Sequence, residues 1–361
     1  MPLNLELLKK LIETPGIAGR EHRVRRLIEQ EIDGLFDSMF VDPLGSLICV
    51  RNPRPKSKKP KGVNGISASR PLKVMIAAHM DQIGFMVKHI DEKGFIRVVA
   101  VGGFDTRNLF SRLCMVCPDA RNNNKDFLAV MNPAGKTIHI AEEADKNKIP
   151  QINDFFLDAG LPAEEVKKKV KIGDMVVIRA TFDQVGNTVV GQAMDNRIAC
   201  WWAIESIKAL KHHDCEIYVS FTVQEEVGCR GAGTSSYHVE PDIAIGLDVT
   251  LAVDAIGVPD DQRVTKQGDG VGILAMDGSM ISDLDLLNEF DTLAQKEKIK
   301  AQRTILHRGG NDGCAIQMKN AGRKVISLVC PTRNVHTVTE MVHLDDLEAS
   351  RDLLTAYLKN C

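Results

Sequence analysis

Side chains able to bind metal ions or to move protons occur in five separate segments of the sequence. They are His79 with Asp81, Asp195, Glu225 with Glu226, Asp248, and His336. Each segment lies where an apolar stretch gives way to a loop or a helix, and four of the five follow a predicted strand. Binding sites in open α/β sheets form at the carboxyl ends of the strands. We therefore expect these segments to meet in one crevice.

The pair His79 and Asp81 ends an apolar stretch that runs from Leu72 to Ala78. Residues two apart in extended backbone point to the same side of the strand. A metal-bound imidazole usually donates its second N–H group to a carboxylate, which fixes the direction of the ring. The pattern predicts His79 as a metal ligand and Asp81 as the group that orients it. A surface pair after a strand is the alternative.

Glu225 and Glu226 are adjacent and follow the apolar run from Tyr218 to Val223. Two carboxylates where a core strand emerges are costly unless cations or protons compensate their charge. Neighbouring side chains point in different directions, so one glutamate can bind a metal ion while the other acts as a general base. Either glutamate alone would indicate nothing.

Three further side chains complete the set, and each has a plain structural alternative. Asp195 starts a predicted helix and could simply cap it. Asp248 follows an apolar strand and could be buried with backbone hydrogen bonds, and His336 could be a surface loop histidine. Taken together, two imidazoles and several carboxylates without thiolates suit zinc, cobalt or manganese. Two such ions could share one bridging carboxylate.

The elements around these segments predict an α/β domain that is interrupted by a small β-rich insert. Short β-type runs separated by Gly, Asp, Asn and Pro extend from Ile83 to about Phe182. After them, predicted helices and strands alternate to the end of the chain, which indicates a layered α/β domain. We assign residues 1–82 and 186–361 to a discontinuous catalytic domain and residues 83–185 to the insert.

Composition excludes several classes of partner. The 361 residues include 46 Lys and Arg against 48 Asp and Glu, so the formal charge of -2 offers no attraction for nucleic acid or an anionic membrane. No apolar run is long enough to span a bilayer, and the first residues lack a basic-then-apolar export signal. We therefore expect a cytoplasmic protein with no nucleic-acid or membrane partner.

Two other sequence features have ordinary explanations. The nine cysteines are scattered without framework spacing, which predicts reduced thiols. Cys114 and Cys117 form a single CxxC motif without the second pair that a zinc site requires. The stretch from Arg51 to Pro71 is rich in proline and basic residues, and we expect it to be an exposed loop.

The five segments, in this order, resemble the tetrahedral (TET) aminopeptidases, a family of self-compartmentalising dinuclear metallopeptidases. The resemblance extends over nearly the whole chain, and its motifs are specific only in combination. The matching stretches are Ala78-His79-Met80-Asp81, Met194-Asp195-Asn196-Arg197, Glu225-Glu226-Val227-Gly228, Leu247-Asp248 and His336-Thr337-Val338-Thr339-Glu340.

The resemblance implies a fold, a site and an assembly. The fold is a mixed-sheet α/β/α zinc-aminopeptidase-like domain with a PDZ-like or β-barrel dimerisation insert. One metal ion would be held by His79, Asp195 and Asp248, and the other by Asp195, Glu226 and His336. Glu225 would be the general base. Dimers would assemble into a hollow homo-dodecamer that admits unfolded peptides.

Two positions depart from the pattern of the resembled family. Asn311, in the glycine-rich stretch Gly309 to Gly313, stands where a threonine is usual, although a loop cap before a helix also explains it. Gln82 stands where an acid commonly follows the motif aspartate. Both departures bear on substrate preference and assembly contacts, whereas every ligand implied by the resemblance is present.

The sequence thus predicts a metal-dependent aminopeptidase that removes N-terminal residues from short peptides. A metal-activated water would attack the first peptide carbonyl, with Glu225 as its general base. The alternatives are a two-metal dipeptidase or N-acyl amino acid deacylase, and a non-catalytic protein stabilised by metal. The presence of Glu225 argues against the last, because a general base is not needed for binding metal.

Overall fold

The computed structural model describes residues 2–56, 70–137, 139–143 and 148–361. Most of the predicted exposed loop over residues 51–71 lies outside these ranges. Within the described ranges, no helix combines the length and apolar character needed to cross a membrane.

A mixed sheet of eleven strands is the larger of two β structures in the described part of the chain. Its strands are β1 (Ser38–Val41), β2 (Leu47–Arg51), β3 (Lys73–His79), β10 (Phe182–Val185), β11 (Thr188–Gly191), β12 (Glu216–Thr222), β13 (Ile243–Leu251), β14 (Val271–Met276), β15 (Ala301–Ile305), β16 (Lys324–Arg333) and β17 (Glu340–His343). The order is β1-β2-β12-β3-β13-β16-β17-β11-β10, with β14 pairing with β15 and β16. Strands β12, β3, β13 and β16 are parallel and form the centre.

A closed antiparallel barrel of six strands is the second β structure. The strands are β4 (Gly84–Ile90), β5 (Ile96–Val101), β6 (Arg112–Cys117), β7 (Phe127–Pro133), β8 (Phe155–Asp158) and β9 (Met175–Ile178), in the order β4-β5-β8-β7-β6-β9. The barrel has its own apolar core, so the predicted fold class is confirmed. Strand β10 lies within the predicted insert but pairs with β11 in the large sheet. The division of the chain at residues 83 and 185 stays a prediction.

Helices cover both faces of the large sheet. They are α1 (Leu5–Glu13), α2 (His22–Glu31), α4 (Met194–Ala209), α5 (Arg230–Val239), α6 (Leu284–Glu297), α7 (Asp312–Gln317) and α8 (Leu344–Asn360), while α3 (Ala163–Lys169) packs on the barrel. Alternate residues of β3 point to opposite faces, as the pleat requires. Val74 and Ile76 join the core that contains α4 and α8, whereas Met75 joins the core of α5 and α7.

Helix α5 was not apparent in the sequence, because two glycines interrupt it and its hydroxyl residues favour caps and turns. The structure gives the reason for one of the two glycines, Gly231. A Cβ atom on Gly231 would lie 2.5 Å from the backbone nitrogen and oxygen of Val223. The helix therefore packs directly on the backbone at the end of β12, and tertiary packing outweighs its low helix propensity.

Arg23 joins helix α2 to the barrel. Its guanidinium makes two hydrogen bonds to the carboxylate of Asp126, at 2.6 and 2.8 Å, and also donates to the carbonyls of Asp119 and Asn122. The side chains of Arg23 and Asp126 are only 7% and 10% exposed. A bidentate, desolvated contact of this kind holds the barrel segment between β6 and β7 against α2.

We expect Arg23→Met to destabilise the protein by about 3–5 kcal/mol, because it leaves the buried Asp126 without its cation. The measurement is the midpoint of chemical denaturation. Arg121→Met is the matched control, since Arg121 lies in the same segment but is exposed. Equal midpoints for the two variants would show that the contact contributes little.

Candidate metal centre and active site

The predicted side chains meet at the carboxyl ends of the central parallel strands. His79 ends β3, and its register partner on β12 is Thr222, three residues before Glu225. Asp248 lies on β13, two residues beyond the last pair with β3, and His336 follows β16. Because parallel strands present their carboxyl ends at the same edge, the fold gathers these groups in one place.

His79 faces three carboxylates. Its Nε2 atom is 3.2 Å from Asp195 Oδ1, 3.7 Å from Glu225 Oε2 and 3.9 Å from Asp248 Oδ1. The imidazole is buried, with 1% of its side chain exposed. Ligand atoms of His79, Asp195 and Asp248 all lie within 4.8 Å of one another, which is the spacing of a site for one metal ion.

A second cluster shares Asp195. The Nε2 atom of His336 is 3.2 Å from Asp195 Oδ2 and 3.6 Å from Glu226 Oε2, and these three residues form another group within 4.8 Å. The two oxygens of Asp195 therefore face different imidazoles, Oδ1 toward His79 and Oδ2 toward His336. Asp195 is thus common to both clusters.

The capping alternative for Asp195 does not describe its contacts. The neighbouring Asn196 provides the local polar contacts: its Oδ1 accepts a hydrogen bond from the Ala199 N–H group at 3.3 Å, and its Nδ2 donates to Leu247 O at 2.9 Å. The backbone of Asp195 is not helical, with φ -77° and ψ 103°. Its carboxylate is thereby free to face the two histidines.

Asp81 supports both clusters through the backbone. Its two carboxylate oxygens accept hydrogen bonds from the N–H groups of Glu225 and Glu226, at 3.0 and 3.1 Å. The Nδ1 atom of His79 lies 3.1 Å from the carbonyl of Asp81 and 3.5 Å from its carboxylate. Asp81 thus orients the imidazole mainly through its carbonyl, and its carboxylate holds the glutamate loop in place.

Glu340 is a site residue that sequence reasoning did not assign. Its Oε1 accepts a hydrogen bond from the N–H group of His336 at 2.6 Å, and its Oε2 accepts one from Asp195 N at 3.2 Å. It therefore holds the two sides of the second cluster together. The signal was its place at the end of the His336 motif, four residues after the histidine.

The barrel reaches the second cluster through two glycines. A Cβ atom on Gly102 would lie 3.1 Å from Glu226 Oε2, and one on Gly103 would lie 3.6 Å from His336 Nδ1. Gly102 also has φ +85°, a backbone conformation that residues with a side chain rarely adopt. The backbone after β5 can approach the site this closely because it carries no side chain there.

Burial and mutual repulsion control the protonation of the acids. Desolvation raises the pKa of Glu225 to about 8 and raises the pKa of Glu226 well above its ordinary value. Burial also acts to raise the pKa of Asp195, but hydrogen bonds from His336 and His79 outweigh it and lower that pKa. Burial opposes protonation of His336, yet Asp195 raises the pKa of that imidazole to about 10.

The donor set fits divalent metal ions. Several carboxylates are buried together at a strand edge, where cations would offset their repulsion. Glu226 Oε1 is buried and has no hydrogen-bond partner among the residues that the structure describes. Such an oxygen costs free energy unless a ligand satisfies it. Nitrogen and oxygen donors in two groups of three are the ligands that zinc, cobalt and manganese accept.

Asn311 and Gln82, the two residues that differ from the pattern of the TET family, have structural roles. Asn311 caps α7 by accepting a hydrogen bond from Gly313 N at 2.8 Å, and its amide donates to Asp277 at 2.6 Å. Gln82 accepts a hydrogen bond from the buried guanidinium of Arg197 at 3.2 Å. Both side chains are buried, so they support the surrounding loops.

The CxxC motif is not a paired site. Cys114 packs in the barrel core, and Cys117 packs in a separate small cluster between the barrel and Ile17. Both thiols are free, as the sequence predicted for isolated cysteines.

The fold and the paired acid–histidine clusters define a metallopeptidase with a barrel insert. The profile described as M42 glutamyl aminopeptidase matches residues 63–353, and the chain belongs to this family. A relative from Acetivibrio thermocellus is 35% identical over 351 residues, covering 97% of this chain and 96% of its own length. The protein is therefore an aminopeptidase, a hydrolase of peptide bonds.

Solved structures agree with this assignment. The TET aminopeptidase of Thaumarchaeota archaeon SCGC AB-539-E09 is 30% identical with a TM-score of 0.89, and the match covers 98% of this chain and 95% of that one. The TET1 peptidase of Pyrococcus horikoshii is 29% identical with a TM-score of 0.84 over 99% of both chains, and it assembles into a tetrahedron or a large octahedral shell. The resemblance to the TET family is confirmed.

We expect Asp81→Asn to weaken metal binding by about 10–100-fold, the usual loss when a partner behind the ligands is changed. The amide of asparagine has one acceptor oxygen, which can serve only one of the two backbone N–H groups. Its NH₂ group, a donor, would face the other N–H group. The measurement is metal retention against a chelator, by elemental analysis. Asp119→Asn, a change at a half-buried loop position of the barrel, is the control, and equal retention in both variants would contradict the role of Asp81.

Proposed function

We propose that the site binds two divalent ions and that Asp195 bridges them. One ion would be held by His79, Asp195 and Asp248, and the other by Asp195, Glu226 and His336. The observation that carries this proposal is the division of the Asp195 oxygens between the two imidazoles. Zinc or cobalt suits the donors, and manganese is the next candidate.

Bound ions would supply Lewis acidity to the peptide carbonyl, acidify water and provide a contact for the free amino terminus. Glu225 is the proton carrier. Its Oε2 atom points toward His79, and its backbone is fixed by Asp81, so the carboxylate lies at the edge of the first cluster. In the reaction Glu225 takes the proton from the attacking water and then gives it to the leaving amine.

We expect Glu225→Gln to lower kcat by at least about 100-fold, because the amide cannot accept the proton. Two ions should remain bound per chain, since Glu225 is not one of the proposed ligands. Turnover of aminoacyl-p-nitroanilides and elemental analysis measure the two quantities. Glu29→Gln on α2, where the side chain is 37% exposed, is the control. Retained turnover would remove Glu225 from the mechanism, and lost metal would make it a ligand.

The same assay decides the type of substrate. Peptides with a free amino terminus should be cleaved, whereas N-acyl amino acids should not. Cleavage of only the blocked compounds would favour a deacylase, and cleavage of dipeptides alone would favour a dipeptidase.

We also propose that the barrel forms a homodimer contact and that dimers build a larger shell, as far as the dodecamer. The support is an apolar patch on β6 and β7 formed by Leu113, Leu128 and Val130, each 41–45% exposed. Leu113 and Val130 are direct cross-strand partners, so the patch is continuous. Continuous exposed apolar surface of this kind marks an interface. We further propose that such an assembly lies in the cytoplasm.

We expect Val130→Lys to reduce the assembled mass, because a charge in a desolvated apolar contact is costly. Analytical ultracentrifugation measures the mass distribution. Val185→Lys is the control, since Val185 is 54% exposed but lies on β10 in the large sheet. If Val130→Lys keeps the wild-type mass, the dimer contact lies elsewhere.

A further inference from the structure

Two thiols lie beside the proposed general base. Cys229 precedes α5 and Cys314 lies in α7, and their sulfur atoms are 3.7 Å apart. The thiol of Cys229 also donates a hydrogen bond to Glu225 Oε1 at 3.2 Å. Donor atoms of Glu225, Cys229 and Asp312 all lie within 4.8 Å of one another. One sulfur and two carboxylate ligands are thus available at one point, and the sulfur of Cys314 adjoins that of Cys229.

Asp312 provides a second, independent observation. Its side chain is buried, with 2% of the residue exposed, and one oxygen accepts a hydrogen bond from Thr222. The other oxygen, Oδ1, is buried without a hydrogen-bond partner in the described part of the chain. A buried carboxylate oxygen without a partner is destabilising unless a ligand reaches it.

We propose that Cys229, Cys314, Asp312 and Glu225 form a third metal site, separate from the two clusters that share Asp195, for a thiophilic divalent ion such as Zn²⁺ or Cd²⁺. An ion bound there occupies Glu225 and lowers turnover, so the site makes the enzyme sensitive to excess metal. This consequence rests on the proposed role of Glu225, whereas the binding site itself does not.

The sulfur separation favours metal binding over a disulfide. Tetrahedral zinc with zinc–sulfur bonds of about 2.3 Å places two sulfur ligands about 3.8 Å apart. The observed 3.7 Å already matches this distance. A disulfide requires about 2.05 Å, so the two sulfur atoms would have to approach by about 1.6 Å.

Charge and access are also suitable. Each thiol releases its proton to solvent when the ion binds. Two thiolates and two carboxylates then carry the same formal charge as the four thiolates of a common structural zinc site. Cys314 is partly exposed, so the ion has an entry route from the solvent.

The test is a Cd²⁺ titration of reduced, metal-replete protein. The signal measured is the ultraviolet charge-transfer absorption of cadmium–thiolate bonds. We expect one such site per chain. Exchange at the two proposed catalytic clusters gives no signal, because their ligands contain no thiol. Cys314→Ser should bind Cd²⁺ at least about tenfold more weakly, since losing a ligand costs no less than losing its supporting partner.

Cys361→Ser is the matched control. Cys361 forms a hydrogen bond with Cys215, so the substitution removes a thiol from a different thiol pair. A signal that persists in Cys314→Ser and disappears in Cys361→Ser overturns the proposal, and so does the lack of any signal in the wild type.

Turnover under excess Zn²⁺ tests the consequence. We expect inhibition of the wild-type enzyme. Cys314→Ser should keep its basal activity and need at least about tenfold more Zn²⁺ for the same inhibition. A cadmium–thiolate signal without inhibition supports the site but overturns the regulation. Because the absorption measurement needs no turnover, it decides the binding site even if the proposed role of Glu225 fails.

Discussion

Asp195 lies between two imidazoles, and each of its oxygens faces one of them. Around this carboxylate the fold buries further acids that repel one another, and burial alone already disfavours their charged forms. Such a cluster persists only if cations or protons compensate it. The requirement for compensating charge explains why histidines and acids alternate in the site and why the fold devotes so many hydrogen bonds to holding them.

The parallel centre of the sheet meets this requirement by geometry. Four neighbouring strands end at the same edge, so groups that are far apart in sequence arrive together. The supporting acids then work through backbone N–H groups. Asp81 holds the loop of Glu225 and Glu226, and Glu340 holds the backbone of His336 and Asp195. Backbone contacts fix position without using a ligand side chain.

The barrel is connected to this centre at two places. Arg23 links it to the large-sheet part of the molecule through Asp126, and the Gly102–Gly103 segment packs against Glu226 and His336. A change in how the barrel sits therefore reaches the second cluster directly. An assembly contact on β6 and β7 would act on the same barrel, because both strands belong to its closed sheet.

The sequence by itself determined the kinds of ligand, the strands that deliver them and the β-rich character of the insert. These features follow from apolar runs and from residues next to each other in the chain. The general base and the metal roles came from adjacency and resemblance, and the structure brings all of those residues together. In the structure β10 belongs to the large sheet, through a pairing with β11 that no local pattern indicates.

Only the tertiary structure decided which oxygen of Asp195 faces which imidazole, what Glu340 supports and why Gly231 and Gly102 must lack side chains. It also brought Cys229 to Cys314 across 85 residues. The physical reason is that hydrogen-bond partners, close backbone approaches and side-chain directions depend on strand register and packing. Local propensity selects elements, whereas register and packing select contacts.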